Sequence, residues 1–425
     1  MQIDNLKLIN FRLFKEKSFD FNPHFNVIIG ENGVGKTSLL EALNVALSPF
    51  LKIVTGKNLR PIRKDDIRRM ILQGSDEERL FCSVEATGIM PEQLSHWQIV
   101  KERFSWGEMR TETRQVTSMS KQLVNKVIGG DEKVALPLVK YYGPVRFQRD
   151  LLAGVREDFK GKSSRFDTYP QSLNSISSIV QFTEWFKRVE LASLQNKGES
   201  KRKAQLIKKA INNCVPNWNE LRFDFETGHL QACNKVSNEW MPFKLLSDGQ
   251  KTIMGVVADL VYRCIILNPY FEEDASKETK GIVLIDELDV HLHPNWQKQI
   301  VGMLRTTFPK IQFITTTHSP FIIQSLKNEE LIDLQGKELT TDYYRKSIEE
   351  IAEGEMGVKN VERSEKFNEM MKVAEEYYNL LEKGESSETN RSVIALKNRL
   401  DLLEQLYNED PAFVALLKAE RNSKR

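Results

Sequence analysis

Four groups of residues in this 425-residue chain have the types and spacing for phosphoryl chemistry. Gly30-Glu31-Asn32-Gly33-Val34-Gly35-Lys36-Thr37 fits G-x-x-x-x-G-K-[ST]. Glycines let successive backbone N–H groups curl around phosphate oxygens, Lys36 reaches the β/γ oxygens, and the Thr37 hydroxyl is a ligand for Mg²⁺. Asn32, Gly33, Gly35 and Ser38 are the other expected contacts of that ATP-binding loop. Asp286-Glu287 supplies two adjacent acids, Asp286 for the Mg²⁺ shell and Glu287 to polarise a water for in-line attack on a γ-phosphate. Leu246-Ser247-Asp248-Gly249-Gln250 places Ser247, Gly249 and Gln250 at the start of a helix-like stretch, where a helix N-terminus binds phosphate. The fourth element is an isolated histidine, His318. The plainer readings are an acidic turn after a core strand and a common Ser-Asp-Gly turn. The first of these leaves Lys36 without a metal partner.

The elements expected to position these groups are legible nearby. Residues 25–29 read as a buried strand feeding the glycine loop, and residues 38–43 as the helix that follows it. Residues 282–285 form an apolar run bounded by Gly281, as a central strand of a parallel sheet would be, and deliver both acids at its C-terminal end. Residues 251–261 read as a helix, and residues 311–317 as a strand ending at His318.

The order of the groups resembles the ABC-type ATPases, specifically the RecF, SMC and OLD-like branch that includes the AAA_21-type proteins. The resemblance implies an α/β fold: a two-lobe head with a mixed sheet, a short helical insertion and a C-terminal helical extension. It also implies that the signature loop of one subunit closes over ATP held by the other, completing the site only in a homodimer. His318 matches the switch histidine of that family. Ile9-Asn10-Phe11-Arg12-Leu13-Phe14 resembles the opening strand of RecF-like heads and implies Arg12 near the nucleotide. Residues 286–294 resemble the D-E-x-D/E-x-H-L-H-P stretch, which brings Asp289 to the site, and residues 136–146 are similar to the Y-Y-G-x-x-R segment. Asp248 stands where transporter signature loops carry glycine. No Q-loop is unambiguous; Gln148 is the candidate metal-side glutamine and Gln73 the alternative.

Within this branch the chain is similar to the PtuA-like ATPases of Septu-type and some retron-linked anti-phage systems, through its compact insert, its H-L-H-P stretch and residues 342–358. That resemblance implies an ATP-hydrolysing regulator, dimeric at the nucleotide and assembled further, whose partner is an HNH nuclease of the PtuB-like kind. A retron reverse transcriptase with its RNA/DNA is a further implied partner. A RecF-like DNA-repair ATPase is the alternative. An OLD-like nuclease needs a Toprim domain, and Glu353-Gly354-Glu355 has no Asp-x-Asp companion.

Composition bounds the rest. Hydrophobic content of 40%, charged content of 28% and a net charge of +2 describe an ordinary globular chain and do not announce a nucleic-acid binder. Basic stretches at Lys197, Lys201, Arg202, Lys203, Lys208 and Lys209, and at Arg60, Arg63, Lys64, Arg68 and Arg69, read as solvated faces without interleaved aromatics. No uninterrupted apolar run suggests a membrane span, and Met1-Gln2-Ile3-Asp4-Asn5 does not resemble a secretion signal, so a cytoplasmic protein is expected. Cys82, Cys214, Cys233 and Cys264 lack C-x-x-C spacing and read as packing residues in a reduced compartment. His291 and His293 form an H-x-H, read as a structural loop rather than a metal site.

The expected segments are a first lobe at 1–150 with strands near 80–86 and 97–101, a helical insertion at 151–240, a second lobe at 241–335 and an extension at 336–425. The insertion is too short for long coiled-coil arms. In the extension, Phe367, Met370, Met371, Ala374, Tyr377, Tyr378 and Leu381, then Leu396, Leu400, Leu403 and Tyr407, recur at helical spacing around a break at 384–390. Such stripes are either core or a docking or assembly surface.

Overall fold

Ile3, Leu6, Leu8 and Phe11 are buried along the first strand, β1 (Gln2–Phe11), so apolar residues line its inward face, with three-residue steps from Ile3 to Leu6 and from Leu8 to Phe11 against the strand period of two. The step from Ile3 to Leu6 breaks that period, and a register shift between Ile3 and Asn5 absorbs it. The computed structural model describes residues 1–72, 75–78, 81–102, 111–144, 164–174, 179–195, 198–215, 217–327, 329–336, 343–358, 365–382 and 391–404.

After β1 come β2 (Phe14–Asp20), β3 (Phe25–Ile29), α1 (Lys36–Thr55), a small antiparallel pair β4 (Arg69–Leu72) and β5 (Ser75–Glu78), β6 (Phe81–Ile89), β7 (Leu94–Glu102), β8 (Thr111–Glu112), α2 (Arg114–Ile128) and β9 (Leu138–Tyr142). Strands β2-β1-β6-β7-β8 form one antiparallel sheet, as the alternation at 80–86 and 97–101 predicts.

Further along lie α3 (Ile179–Leu194), α4 (Gly198–Cys214), β10 (Trp218–Asp224), β11 (His229–Asn234), β12 (Trp240–Pro242), α5 (Asp248–Leu267), α6 (Ala275–Glu278), β13 (Gly281–Ile285), α7 (Pro294–Thr307), β14 (Ile311–Thr316), α8 (Pro320–Gln324) and β15 (Leu331–Asp333). A second sheet, ordered β15-β3-β14-β13-β9, is parallel throughout. Every residue of β3, β9, β13 and β14 is buried, the continuous burial expected of parallel strands covered on both faces. Gln312 on β14 ties the two sheets together: its Oε1 accepts from Ile3 N at 2.9 Å and its Nε2 donates to Ile3 O at 2.8 Å.

The structure departs from expectation in segment 151–240 and adds to it at α1. Segment 151–240 is not wholly helical, because Trp218–Asp224 and His229–Asn234 pair as an antiparallel hairpin. Its signal was Gly228, at φ +70° in a short turn between alternating apolar residues. Strands β3 and β9 of the first segment bond directly to β14 and β13 of the third, so the two segments share one parallel sheet, and Met1–Ile348 forms one compact unit. A second compact unit spans Glu349–Arg425. Finally, α1 is long and apolar enough to cross a membrane by length and composition, but its most apolar window is 72% buried inside the protein. Asn44 and Lys52 interrupt the apolar residues, which is why no unbroken run stands out in the sequence.

The second unit holds most of α9 (Ile348–Gly354), with α10 (Glu365–Glu382) and α11 (Arg391–Glu404). Met370, Val373, Ala374, Tyr377 and Tyr378 of α10 pack with Val393, Leu400 and Leu403 of α11, so the two stripes bury one another and act as core. The break at 384–390, Tyr407, and the side chains of Phe367 and Met371 lie outside the described residues.

Candidate nucleotide site

Because β3, β14 and β13 are parallel neighbours, the loops leaving their C-terminal ends emerge side by side. Ligands of open parallel sheets bind at such an edge. The strand β14 stands between the glycine-loop strand and the acid-pair strand, so Thr317 and His318 leave the sheet between Lys36 and Glu287.

The glycine loop runs through backbone that side chains resist. Gly33 and Gly35 have φ of +87° and +109°, and a Cβ on Gly35 would lie 2.9 Å from the ring of Phe14. Lys36 opens α1, is 9% exposed, and donates from Nζ to Gly30 O at 2.6 Å and Glu31 O at 3.0 Å. Burial pushes its pKa down, and the charges of Asp286, Glu287 and Asp289 oppose that shift. Asn32, Gly33 and Thr37 are exposed along the loop, and Ser38 is half-buried.

Asp286 is 2% exposed at the end of β13. Its Oδ2 accepts from Thr37 Oγ1 at 2.9 Å and its Oδ1 from Thr316 Oγ1 at 2.6 Å. Thr316 Oγ1 in turn accepts from Glu287 N at 2.7 Å, and its carbonyl accepts from Leu288 N at 2.8 Å. Glu287 sits at φ +52°, a left-handed conformation that costs a non-glycine residue about 1–2 kcal/mol and persists only where neighbours fix it. Sequence reasoning missed Thr316 as a pin; the run Thr315-Thr316-Thr317 before His318 was its trace.

Asp289 holds the loop after β14. Its Oδ1 accepts from Thr317 Oγ1 at 2.5 Å and from His318 N at 3.1 Å, leaving the His318 residue exposed at the edge of the site. Ser247 and Gln250 form a reciprocal capping box at the start of α5: Ser247 N donates to Gln250 Oε1 at 2.9 Å and Gln250 N to Ser247 Oγ at 3.4 Å. Gly249 lets that helix end approach the acid loop, since a Cβ there would fall 2.2 Å from His291 O. Among the described residues, no hydrogen bond or ion pair joins 247–250 to the glycine loop 30–37.

Arg12 occupies the turn between β1 and β2 at φ +47°. Its backbone N donates to Asp66 O at 2.7 Å and its Nε to Asp66 Oδ1 at 2.9 Å. Arg60 grips the same carboxylate through two nitrogens, at 2.7 and 2.9 Å, and reaches Glu41 Oε2 at 2.6 Å. Burial pushes the Asp66 pKa up, but the Arg60 hydrogen bonds and charge, with Arg12, outweigh it and lower the value. Phe14, two residues beyond Arg12, packs on Gly35, so this turn borders the glycine loop. The reading of the 60–69 stretch as a solvated face is therefore corrected at Arg60, which is 4% exposed. Gln148 and Gln73 lie outside the described residues.

All four cysteines are free and buried. His293 Nδ1 caps α7 by accepting from Asn295 N at 3.2 Å, and among the described residues no cluster of three or more His, Cys, Asp or Glu is placed to hold a metal ion. The hydroxyl of Thr37 and the carboxylate of Asp286 are a hard-oxygen pair that fits Mg²⁺.

A glycine loop, an acid pair one strand away and a capped helix end against the acid loop define an ATPase head of the ABC type. The chain belongs to the AAA-domain family: the AAA_23 model, an AAA domain, matches residues 5–217, and a second AAA-domain model, AAA_21, matches residues 161–324. It is similar to the "Retron Vc95 probable ATPase" of Vibrio cholerae serotype O1 biovar El Tor, at 24% identity over 78% of this chain and 73% of that protein. It is likewise similar to "Septu protein PtuA" of Bacillus thuringiensis, at 25% identity over 84% of each. A shorter match, 42% identical over 77 residues, covers 18% of this chain and 19% of "DNA replication and repair protein RecF" of Francisella tularensis subsp. novicida (strain U112).

Proposed function

We propose that this chain is a cytoplasmic, ATP-hydrolysing switch that closes as a homodimer around nucleotide and gates a separate effector nuclease in anti-phage defence. The hydrogen bond from Thr37 to Asp286, 2.9 Å across 249 positions, carries the reading, because it joins the phosphate loop to the metal-side acid. Thr37 and Asp286 would hold Mg²⁺, which supplies charge neutralisation at the phosphates. Lys36 would turn its N–H donors from Gly30 and Glu31 to the β/γ oxygens. Glu287, held by Thr316, would accept a proton from the attacking water, and His318 would approach the γ-phosphate from between them. Arg12 would add a cation beside the glycine loop.

The signature loop has its own capping box and, among the described residues, no hydrogen bond or ion pair to its own glycine loop, which supports Ser247 and Gly249 acting on the nucleotide of a second copy. The similarity to proteins of Septu and retron systems supports an effector partner; by the sequence resemblance that partner is an HNH nuclease, with no nuclease chemistry in this chain. The match to RecF covers 18% of this chain and favours DNA repair less.

The experiment is ATP hydrolysis by the full chain as a function of protein concentration, with molar mass measured in parallel. Turnover per chain should rise with dimer fraction. Full turnover by a proven monomer would sink the shared-site reading, and plasmid cleavage by the chain alone with Mg²⁺ would replace the gating role with a nuclease.

A further inference from the structure

Gln297, on the first turns of α7, hydrogen-bonds to both loops that flank the acid pair. Its Nε2 donates to Asp289 O at 3.2 Å and to Leu292 O at 2.9 Å, spanning the acid loop. Its Oε1 accepts from Ser319 Oγ at 2.6 Å, directly after His318. The carbonyl of His291, between Asp289 and Leu292, is the atom against which Gly249 brings the start of α5. One half-buried amide therefore links the loop that abuts the signature helix to the loop that carries His318.

We infer that Gln297 is a positioning residue: it fixes His318 relative to Glu287 and passes any shift of the α5 end to His318 within the same chain. The inference rests on the ATPase reading above and adds to it a route. An amide suits this task because it donates twice and accepts once in fixed planar geometry, whereas a carboxylate accepts only. Asp289 holds Thr317 and His318 N through its own side chain, and among the described residues Gln297 is the side chain that joins that loop to backbone carbonyls of residues 289–292. The link uses a side chain whose partners lie five, eight and 22 positions away, so its register depends on α7 starting where His293 caps it.

The test compares Gln297→Leu and His318→Ala singly and together in the full chain, reading kcat, KM for ATP, ATP affinity and the urea midpoint. Misplacement of a reacting group by about an ångström costs up to roughly 100-fold in rate. Gln297→Leu should therefore lower kcat about 10- to 100-fold with ATP affinity unchanged, and should add nothing in the His318→Ala background. Should Gln297→Leu fail to fold, Ser319→Ala breaks the Oε1 arm together with the α8 cap, in which Ser319 Oγ accepts from Ile322 N at 3.4 Å, so its urea midpoint is read alongside, and Ser319→Thr, which keeps the hydroxyl, should restore turnover. Full kcat in both Gln297→Leu and Ser319→Ala, or independent multiplication of the Gln297 and His318 effects, overturns the inference. Absence of ATP turnover in the unmodified chain would instead overturn the ATPase reading itself.

Discussion

The hydroxyl of Thr37 donates to the Asp286 carboxylate at 2.9 Å, and Thr316 donates to the other oxygen of the same group at 2.6 Å. One buried carboxylate thus joins the ends of β13 and β14 to the start of α1, and the expected behaviour of the site follows from which of its contacts is cut.

Lys36→Ala removes the ammonium that the carbonyls of Gly30 and Glu31 hold at the glycine loop and that three nearby carboxylates favour against burial. Truncating one partner of a buried charged contact costs about 2–5 kcal/mol, so ATP affinity by calorimetry should fall roughly 30- to several-thousand-fold. Unchanged affinity would move the nucleotide elsewhere.

Glu287→Gln keeps the shape of the side chain and its backbone bond to Thr316 while removing the base. ATP should still bind, and single-turnover hydrolysis should slow by about 100- to 10,000-fold, the range a general base contributes. Closed dimers should accumulate in light scattering with ATP. A rate like that of the unmodified chain would remove Glu287 from the mechanism.

A shared site makes Lys36→Ala and a Ser247 variant complementary. Each alone should be inactive in hydrolysis, yet their mixture should regain activity, because a mixed dimer contains one intact composite site. Ser247→Ala also loses a helix cap worth about 1 kcal/mol, so the urea midpoint must be read alongside. A mixture that stays dead while both variants are folded speaks against the composite site.

Gly249→Ala sets a methyl group 2.2 Å from His291 O, closer than any relaxed contact. The start of α5 must withdraw from the acid loop, with a stability loss of about 1–3 kcal/mol and a fall in kcat larger than any change in ATP affinity. Denaturant melts and steady-state kinetics on the same preparation check both. Normal turnover would show that the close approach serves packing alone.

Stability should depend on acid through Asp66 and Asp259. Asp259 is fully buried; burial raises its pKa, but the charges of Arg263 and Lys140 and the hydrogen bonds of Tyr142 and Arg263 more than reverse this. Both carboxyls are held below their ordinary value in the folded chain, so the unfolded chain takes up protons first as pH falls. Their stabilisation is complete above the usual carboxylate pKa of about 3.9 and is lost as pH drops through the lowered folded values. Urea midpoints should fall below about pH 4 in the unmodified chain and change less steeply in Asp259→Asn, which itself should cost about 3–5 kcal/mol by stranding Arg263. Equal acid sensitivity in both proteins would contradict this.

The glycine loop, the acid pair and the elements next to them are legible in the sequence. Gly33 and Gly35 announce their loop because only glycine tolerates that backbone, and the apolar runs of β3, β13 and β14 announce buried parallel strands because both faces are covered. The apolar stripes of α10 and α11 were equally plain, though only their mutual packing made them core. The tertiary structure alone decided that β14 lies between β3 and β13, that Asp66 grips Arg12 and Arg60, that Thr316 pins Glu287 and that Gln297 bridges two loops. The physical reason is range: helix and strand periodicity come from neighbours a few positions apart, whereas strand order and cross-loop hydrogen bonds join residues tens to hundreds of positions apart through a chain that local preference does not constrain.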